Sequence, residues 1–257
     1  MPSIETNREN WNDPAKWLQH GEEWSHAWGG TESMWFGSLL PRIAPFLAGG
    51  HLLEIACGHG RVTEYLLRHC ERYTGVDLAP NCIAICMQRF ANHPKARFLG
   101  TDGHSLSGVA DGSVDFVFSW DSLVHAEQDA MVGYVHELAR VLRPGGNAWL
   151  HHSNMAALGD GRGGLSVPNP HWRANSVSAA LLRQWAAAAG IEVAAQELIQ
   201  WGGPVDSDCF SWLRKLPAGA RPSPCREVRH PDFNAELGHF RQLAHLYRGA
   251  PGPVAGR

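Results

Sequence analysis

Tyrosine is scarce in this chain, 4 of 257 residues, and none of its six cysteines belongs to a C-x-x-C pair. Cys57, Cys70, Cys82, Cys86, Cys209 and Cys225 show no zinc-site spacing either, which argues against a metal finger or a dithiol redox motif. They are expected to be buried or half-buried free thiols, with Cys82 and Cys86 on one helix face. No apolar run approaches the ~20 residues that a membrane helix needs. There is no basic excess: 22 Lys and Arg against 25 Asp and Glu give −3. A chain whose main task is gripping nucleic-acid backbone is strongly basic, so that class is disfavoured. Met1 to Asn12 is polar and lacks the basic-then-apolar order of a secretory leader. The expected compartment is the cytoplasm. What the chain has in quantity is tryptophan, at 11, and histidine, at 15. Its length suits one large domain with small additions, and 44% hydrophobic content is ample for a core.

The first 32 residues form an irregular, Trp-rich segment carrying Trp11, Trp17, Trp24 and Trp28, followed by a helical stretch over 33–47 that Pro41 should kink. From 51 to 199 strands and helices then alternate. HLLEIA (51–56), 73–76, 97–99, VDFVFS (114–119), 148–150 and 191–199 read as strands, and 209–213 as a seventh. Helices are expected over 61–70, 80–91, 129–142, 177–189 and 233–248. Residues 156–175 read as a loop insertion, 217–231 as a Pro- and Arg-rich stretch, and the tail from Gly249 as disordered. The expected organisation is a Trp-rich cap (1–48), a core (49–216) and a C-terminal extension (217–257). Strand–helix alternation implies an α/β, doubly wound, mostly parallel sheet, which binds ligands beyond the carboxyl ends of its strands.

Those ends carry the informative residues. After the first strand comes Glu54-Ile-Ala-Cys-Gly-His-Gly60, where small residues at Ala56, Gly58 and Gly60 let a ligand approach the backbone. Asp77 ends the second strand, where a carboxylate can take both hydroxyls of a ribose. Asp102-Gly103 ends the third, where an acid can accept from an exocyclic amine. The three in register describe a pocket for an adenosine-like ligand. The every-second-residue spacing at 56, 58 and 60 departs from the G-x-G-x-x-G of dinucleotide enzymes.

This loop, preceded by Glu54, resembles the E/D-x-G-x-G-x-G turn of class I S-adenosylmethionine-dependent methyltransferases. The resemblance runs over roughly residues 50–152 and includes LARVLRPGG (138–146) as the helix-to-strand turn. Within the family it resembles natural-product and sugar O-methyltransferases, many of which place a His where His125 stands. It implies a Rossmann-like sheet of about seven strands, the last antiparallel, under an N-terminal helical cap. It implies S-adenosylmethionine as cofactor, bound by Glu54, Ala56, Gly58, Gly60, Arg61, Asp77, Leu78, Asp102, Gly103 and Trp120. Ala56 stands where the family has its first glycine. Because Ala prefers φ < 0, a slightly wider turn is expected there.

The family places the loop after the fourth strand, here Ser119-Trp-Asp-Ser-Leu-Val-His125, against the acceptor. His125 is the expected general base, since a hydroxyl is a poor nucleophile until its proton leaves. Asp121 is expected to orient it or touch substrate. His151 and His152 follow on the fifth strand, on opposite faces. His152 is the reserve base and shares a side with Asn154, which is expected to bind a polyol. Trp24, Trp28 and Trp35 are candidate substrate contacts, either as a lid or as anchors for the cap. Trp172, a further candidate contact, and Arg173 in the 156–175 loop are expected to close the acceptor pocket from the other side. A magnesium site from Asp121, His125 and His152 is conceivable, but no metal is expected, because no ligand set has a strong spacing signature.

The reading is a methyltransferase acting on a small-molecule hydroxyl, with a sugar or glycoside favoured. Open alternatives are an amine or carboxylate acceptor, and a non-catalytic cofactor-binding subunit that docks on another chain through residues 233–246. A homodimer is compatible with the sequence. A nucleic-acid substrate is disfavoured by the charge and by the missing Asn/Asp-Pro-Pro-aromatic motif, although Arg221, Arg226 and Arg229 cluster.

Overall fold

Alternation along single strands sets the two faces of the sheet. In β1 (His51–Ile55) Leu53 and Ile55 point to one face and Leu52 to the other. In β4 (Val114–Ser119) Val117 joins the first set, and Phe116 and Phe118 the second. The first face packs aliphatically on the helices Gln128–Val141 and Ala179–Ala188 through Leu138 and Leu182. The second face is aromatic and takes the N-terminal cap, with Trp28 and Trp35 in the same cluster.

The computed structural model describes residues 2–47 and 49–246. The remaining strands are β2 (Arg72–Asp77), β3 (Ala96–Gly100), β5 (Leu142–Ser153), β6 (Glu192–Ile199), β7 (Asp208–Arg214) and β8 (Arg226–His230). They form one sheet in the order β3-β2-β1-β4-β5-β7-β6-β8. β7 runs antiparallel to both β5 and β6, and every other pairing is parallel. The doubly wound α/β architecture is as the sequence implies, with eight strands in place of seven. The eighth lies inside the stretch read as Pro- and Arg-rich. Its sequence REVRH is exposed along nearly its whole length, so it carries no apolar alternation to betray it.

The first 32 residues are more regular than expected. Ile4–Asn12 is an α-helix whose N-cap Ser3 accepts the Thr6 N–H. The helical stretch after Gly30 persists through Phe46, with a π-helical turn at Trp35–Leu39 just before Pro41. The C-terminal helix Phe233–Leu246 lies on this cap. Glu236 accepts hydrogen bonds from Ser38 and Arg42, and Arg42 also forms a bidentate pair with Glu197 on β6. Phe233, Trp28 and Phe116 share one core, so the helix is partnered within its own chain. The segment expected to be a disordered tail from Gly249 lies outside the described residues.

Candidate active site

The chain leaves β1 through Ala56, and Ala56 itself adopts the left-handed conformation, φ +59°, with Gly58 following at φ +56°. The wider turn expected for Ala56 does not form. The backbone keeps the glycine path and carries the Cβ strain, a cost of roughly 1–2 kcal/mol. Gly58 and Ala79 each give an N–H to one oxygen of Asp77, both at 2.8 Å. Asp77 is buried, and burial pushes its carboxyl up to about 6 against those bonds. Ala56, Asp77, Leu78 and Gly103 line one end of a cavity of about 460 Å³, within the range of ligand clefts. A left-handed turn beside a carboxylate on a cavity wall fits the ribose end of adenosylmethionine.

The rest of the expected cofactor set stands back from the cavity wall. Glu54 shares the aromatic face of β1, and its carboxylate is taken by the hydroxyls of Thr63, at 2.7 Å, and Tyr73. Burial raises that carboxyl to about 7. Gly60 is covered by Phe90, and Gly58 by the Trp17 ring: a Cβ on Gly58 would lie 2.6 Å from it. Asp102 turns away and caps its own loop, accepting from the N–H groups of His104 and Ser105 and from the Ser105 hydroxyl. Arg61 is buried under the cap, 3.6 Å from Asp121 and bonded to Ser25. Trp120 lies among Trp28, Trp149 and Trp201, with its indole N–H unpartnered.

His125 and Asp121 both line the cavity. The Nδ1 of His125 lies 2.9 Å from the Trp172 carbonyl, which can only accept, so Nδ1 carries the proton. Nε2 makes no hydrogen bond among the described residues. Burial, reinforced by nearby Arg173, lowers the imidazole below its ordinary range, so it is neutral at pH 7. Asp121 sits at φ +53° and gives its N–H to Nδ1 of His151 at 3.2 Å, and His151 Nε2 meets Asp208 at 2.9 Å.

Three expected site residues belong to the core instead. β5 alternation places His151 on the face of Trp149 and His152 on the opposite face, away from the cavity. His152 is fully buried between the Ser153 carbonyl and the Ser211 hydroxyl, and burial lowers it to about 4. Asn154 holds main-chain groups of Asp206 and Ala179. Trp35 stacks on Tyr65 inside the cap. Trp24 and Trp28 do reach the cavity, and Trp172 lies 63% exposed on the wall of an adjoining outer recess of about 320 Å³.

Three tryptophans the sequence did not single out for the site also line the cavity: Trp11, Trp17 and Trp201. Trp11, Trp17 and Trp24 meet edge to face with centroids 4.8 to 6.1 Å apart, roofing the cavity, and Asn7 ties this roof to the His125 carbonyl at 2.9 Å. Their clustering in the first 24 residues was the available signal. Among the described residues no three His, Cys, Asp or Glu side chains are grouped to hold a metal ion. No described helix is long and apolar enough to cross a membrane.

Residues 52–146 match the family described as Methyltransferase domain. This part of the chain is a class I S-adenosylmethionine-dependent methyltransferase domain. Curated relatives include the phthiotriol/phenolphthiotriol dimycocerosates methyltransferase of Mycobacterium leprae, 36% identical over 109 residues, which cover 39% of this chain and 37% of the relative. Another is the S-adenosyl-L-methionine-dependent Diels-Alderase iccD of Talaromyces variabilis, 35% identical over 105 residues, or 38% of this chain and 35% of that one. The matches thus span little more than a third of these relatives. The solved [4+2]-cyclase SpnF shares the fold over 84% of this chain and 97% of its own at TM-score 0.57 and 16% identity. The DhpI–SAH complex does so over 84% and 98% at TM-score 0.56 and 19% identity.

Proposed function

We propose that the chain transfers a methyl group to a hydroxyl of a ring-bearing small molecule, with His125 as general base. One observation carries this reading: a neutral His125, its Nδ1–H committed to the Trp172 carbonyl, keeps Nε2 without a partner on the wall of the cavity that begins at the Ala56–Asp77 turn. Bound S-adenosylmethionine supplies an electrophilic methyl. The chain's own residues do the rest. Asp77 and the Ala56 turn hold the adenosine end, and Trp11, Trp17 and Trp24 exclude water from above. Trp28 and Trp201 offer flat faces to the acceptor ring, and Nε2 takes the hydroxyl proton. A sugar or glycoside, or a phenol, presents such a ring. The six free cysteines support a cytoplasmic setting.

The test is transfer of labelled methyl to a panel of sugars, phenols and amines by the wild type and by His125→Ala. Transfer to hydroxyl compounds that collapses in the variant is the expected result. A second reading, ring closure with the cofactor bound but unreacted, draws on the likeness to the Diels-Alderase. It needs no base and predicts no labelled product and no demethylated cofactor.

A further inference from the structure

Arg173 is the one Arg or Lys side chain among the described residues that line the cavity, and the proposed reaction leaves it unused. It comes from the 156–175 loop, directly after Trp172, and lines the cavity while only 5% exposed. Its position is fixed from two sides. Nε gives a hydrogen bond to Oδ1 of Asp208, the first residue of β7, and the guanidinium lies over the Trp201 ring, 5.1 Å from its centroid. β7 is antiparallel to β5, so its first residue stands at the same sheet edge as the carboxyl ends of β4 and β5. Asp77 and Gly103, by contrast, stand at the ends of β2 and β3, at the other side of the sheet. Arg173 therefore faces the acceptor half of the cavity.

Its hydrogen-bonding capacity is incompletely used. Nη2 comes within 2.9 Å of Asp208 Oδ2 as an ion pair, yet off the line that a hydrogen bond requires, and it is buried without a hydrogen-bond partner. Nη1 makes no hydrogen bond among the described residues. Buried donors are normally satisfied, and a guanidinium edge matches a planar two-oxygen anion better than any other group. Asp208 cannot turn to supply it, because its second oxygen also receives His151 Nε2 at 2.9 Å, and Asp208 and His151 are both fully buried.

We propose that the acceptor carries a carboxylate, which Arg173 takes on its free edge while the hydroxyl of the same molecule lies at His125. This rests on the hydroxyl-methylation reading and narrows it to hydroxy acids. The carboxylate is either that of an aromatic hydroxy acid or that of a uronic acid. No covalent change occurs at Arg173; it is a specificity-determining residue.

The experiment is calorimetry on the full chain saturated with S-adenosylhomocysteine. One arm compares 4-hydroxyphenylacetate with 4-hydroxyphenylacetamide, and the other compares methyl glucuronoside with methyl glucoside. The expected result is at least tenfold tighter binding of the carboxylate in one arm, which also says which ring the cavity takes. Truncating Arg173 alone leaves Asp208 buried without its cation, so the informative variant is Arg173→Gln with Asp208→Asn, which still accepts from His151. It should melt as a folded protein, bind S-adenosylhomocysteine as the wild type does, and prefer the carboxylate by twofold or less. Equal binding within both pairs, a preference that survives in the double variant, or no binding of any of the four ligands at millimolar concentration overturns the assignment. Failure to bind S-adenosylhomocysteine strikes the methyltransferase reading itself.

Discussion

His125 gives its Nδ1–H to the main-chain carbonyl of Trp172, 2.9 Å away. That bond joins the loop after β4 to the 156–175 loop and fixes the tautomer in which Nε2 is the basic nitrogen. His125→Ala should then lower kcat by roughly 10²-fold or more and leave S-adenosylhomocysteine affinity nearly unchanged, because the lost interaction is made in the transition state. Near-full turnover in the variant, measured on the true acceptor, would mean that the acceptor is already ionised.

In the proposed role the same residue should set the pH dependence. The base must be unprotonated to act, so the rate falls as pH drops through its pKa. Burial places that value below the ordinary 6.5. The kcat profile should be flat above pH 7 and fall only in the acidic range. A limb centred above 7 would assign the base elsewhere.

Asp77 is the carboxylate proposed to hold the adenosine end. Asp77→Ala should weaken S-adenosylmethionine and S-adenosylhomocysteine binding by about 1–3 kcal/mol, since ribose hydroxyl donors lose a charged acceptor. Calorimetry that finds unchanged affinity would remove Asp77 from the site.

Ala56 carries its Cβ at φ +59°. Ala56→Gly relieves that strain and adds unfolded-state entropy, effects of similar size and opposite sign, so stability should stay level or rise by up to ~1 kcal/mol. Ala56→Val, β-branched at the same φ, should lower the melting temperature markedly. A marked loss of stability in Ala56→Gly would contradict the conformation described.

Glu54 links stability to pH. Its folded carboxyl titrates at about 7, against an ordinary 4.5, because burial disfavours the charge. The folded state therefore holds an extra proton between these values. The stabilisation is full below about 4.5 and is lost as pH rises through 7, an effect of roughly 3 kcal/mol at most. Asp77 adds a smaller change of the same sign. Glu54→Gln should flatten the decline in melting temperature between pH 5 and 8. An equally steep decline in the variant would place the titrating group elsewhere.

Hydrophobic periodicity made the strand–helix alternation legible because each central strand is buried and each long helix carries an apolar stripe, as Met131, Val135 and Leu138 do on Gln128–Val141. The Ala56–Gly60 turn and Asp77 were legible because residue type, spacing and strand end coincide there. β8 was not legible, because an exposed edge strand such as REVRH pairs through its backbone alone. Alternation said that His151 and His152 oppose each other. Only the placement of β5 against β7 decided that His152 faces Ser211 and His151 faces Asp208. Residue type likewise marked Glu54 and Asp102 as ligand contacts. Yet Tyr73 and Thr63, 19 and 9 residues away, capture one of them, and the main chain of its own loop captures the other. The sequence by itself determined the layered fold and marked the Ala56 turn and Asp77, the proposed adenosine end, because both rest on local pattern within contiguous segments. The acceptor end was only partly legible: His125, Trp24 and Trp28 stood out from residue type, but tertiary structure decided which side chains share the cavity. Trp11, Trp17, His125, Arg173 and Trp201 come from four distant segments, and their shared cavity exists only once the cap, the 156–175 loop and β7 have packed on the same edge of the sheet.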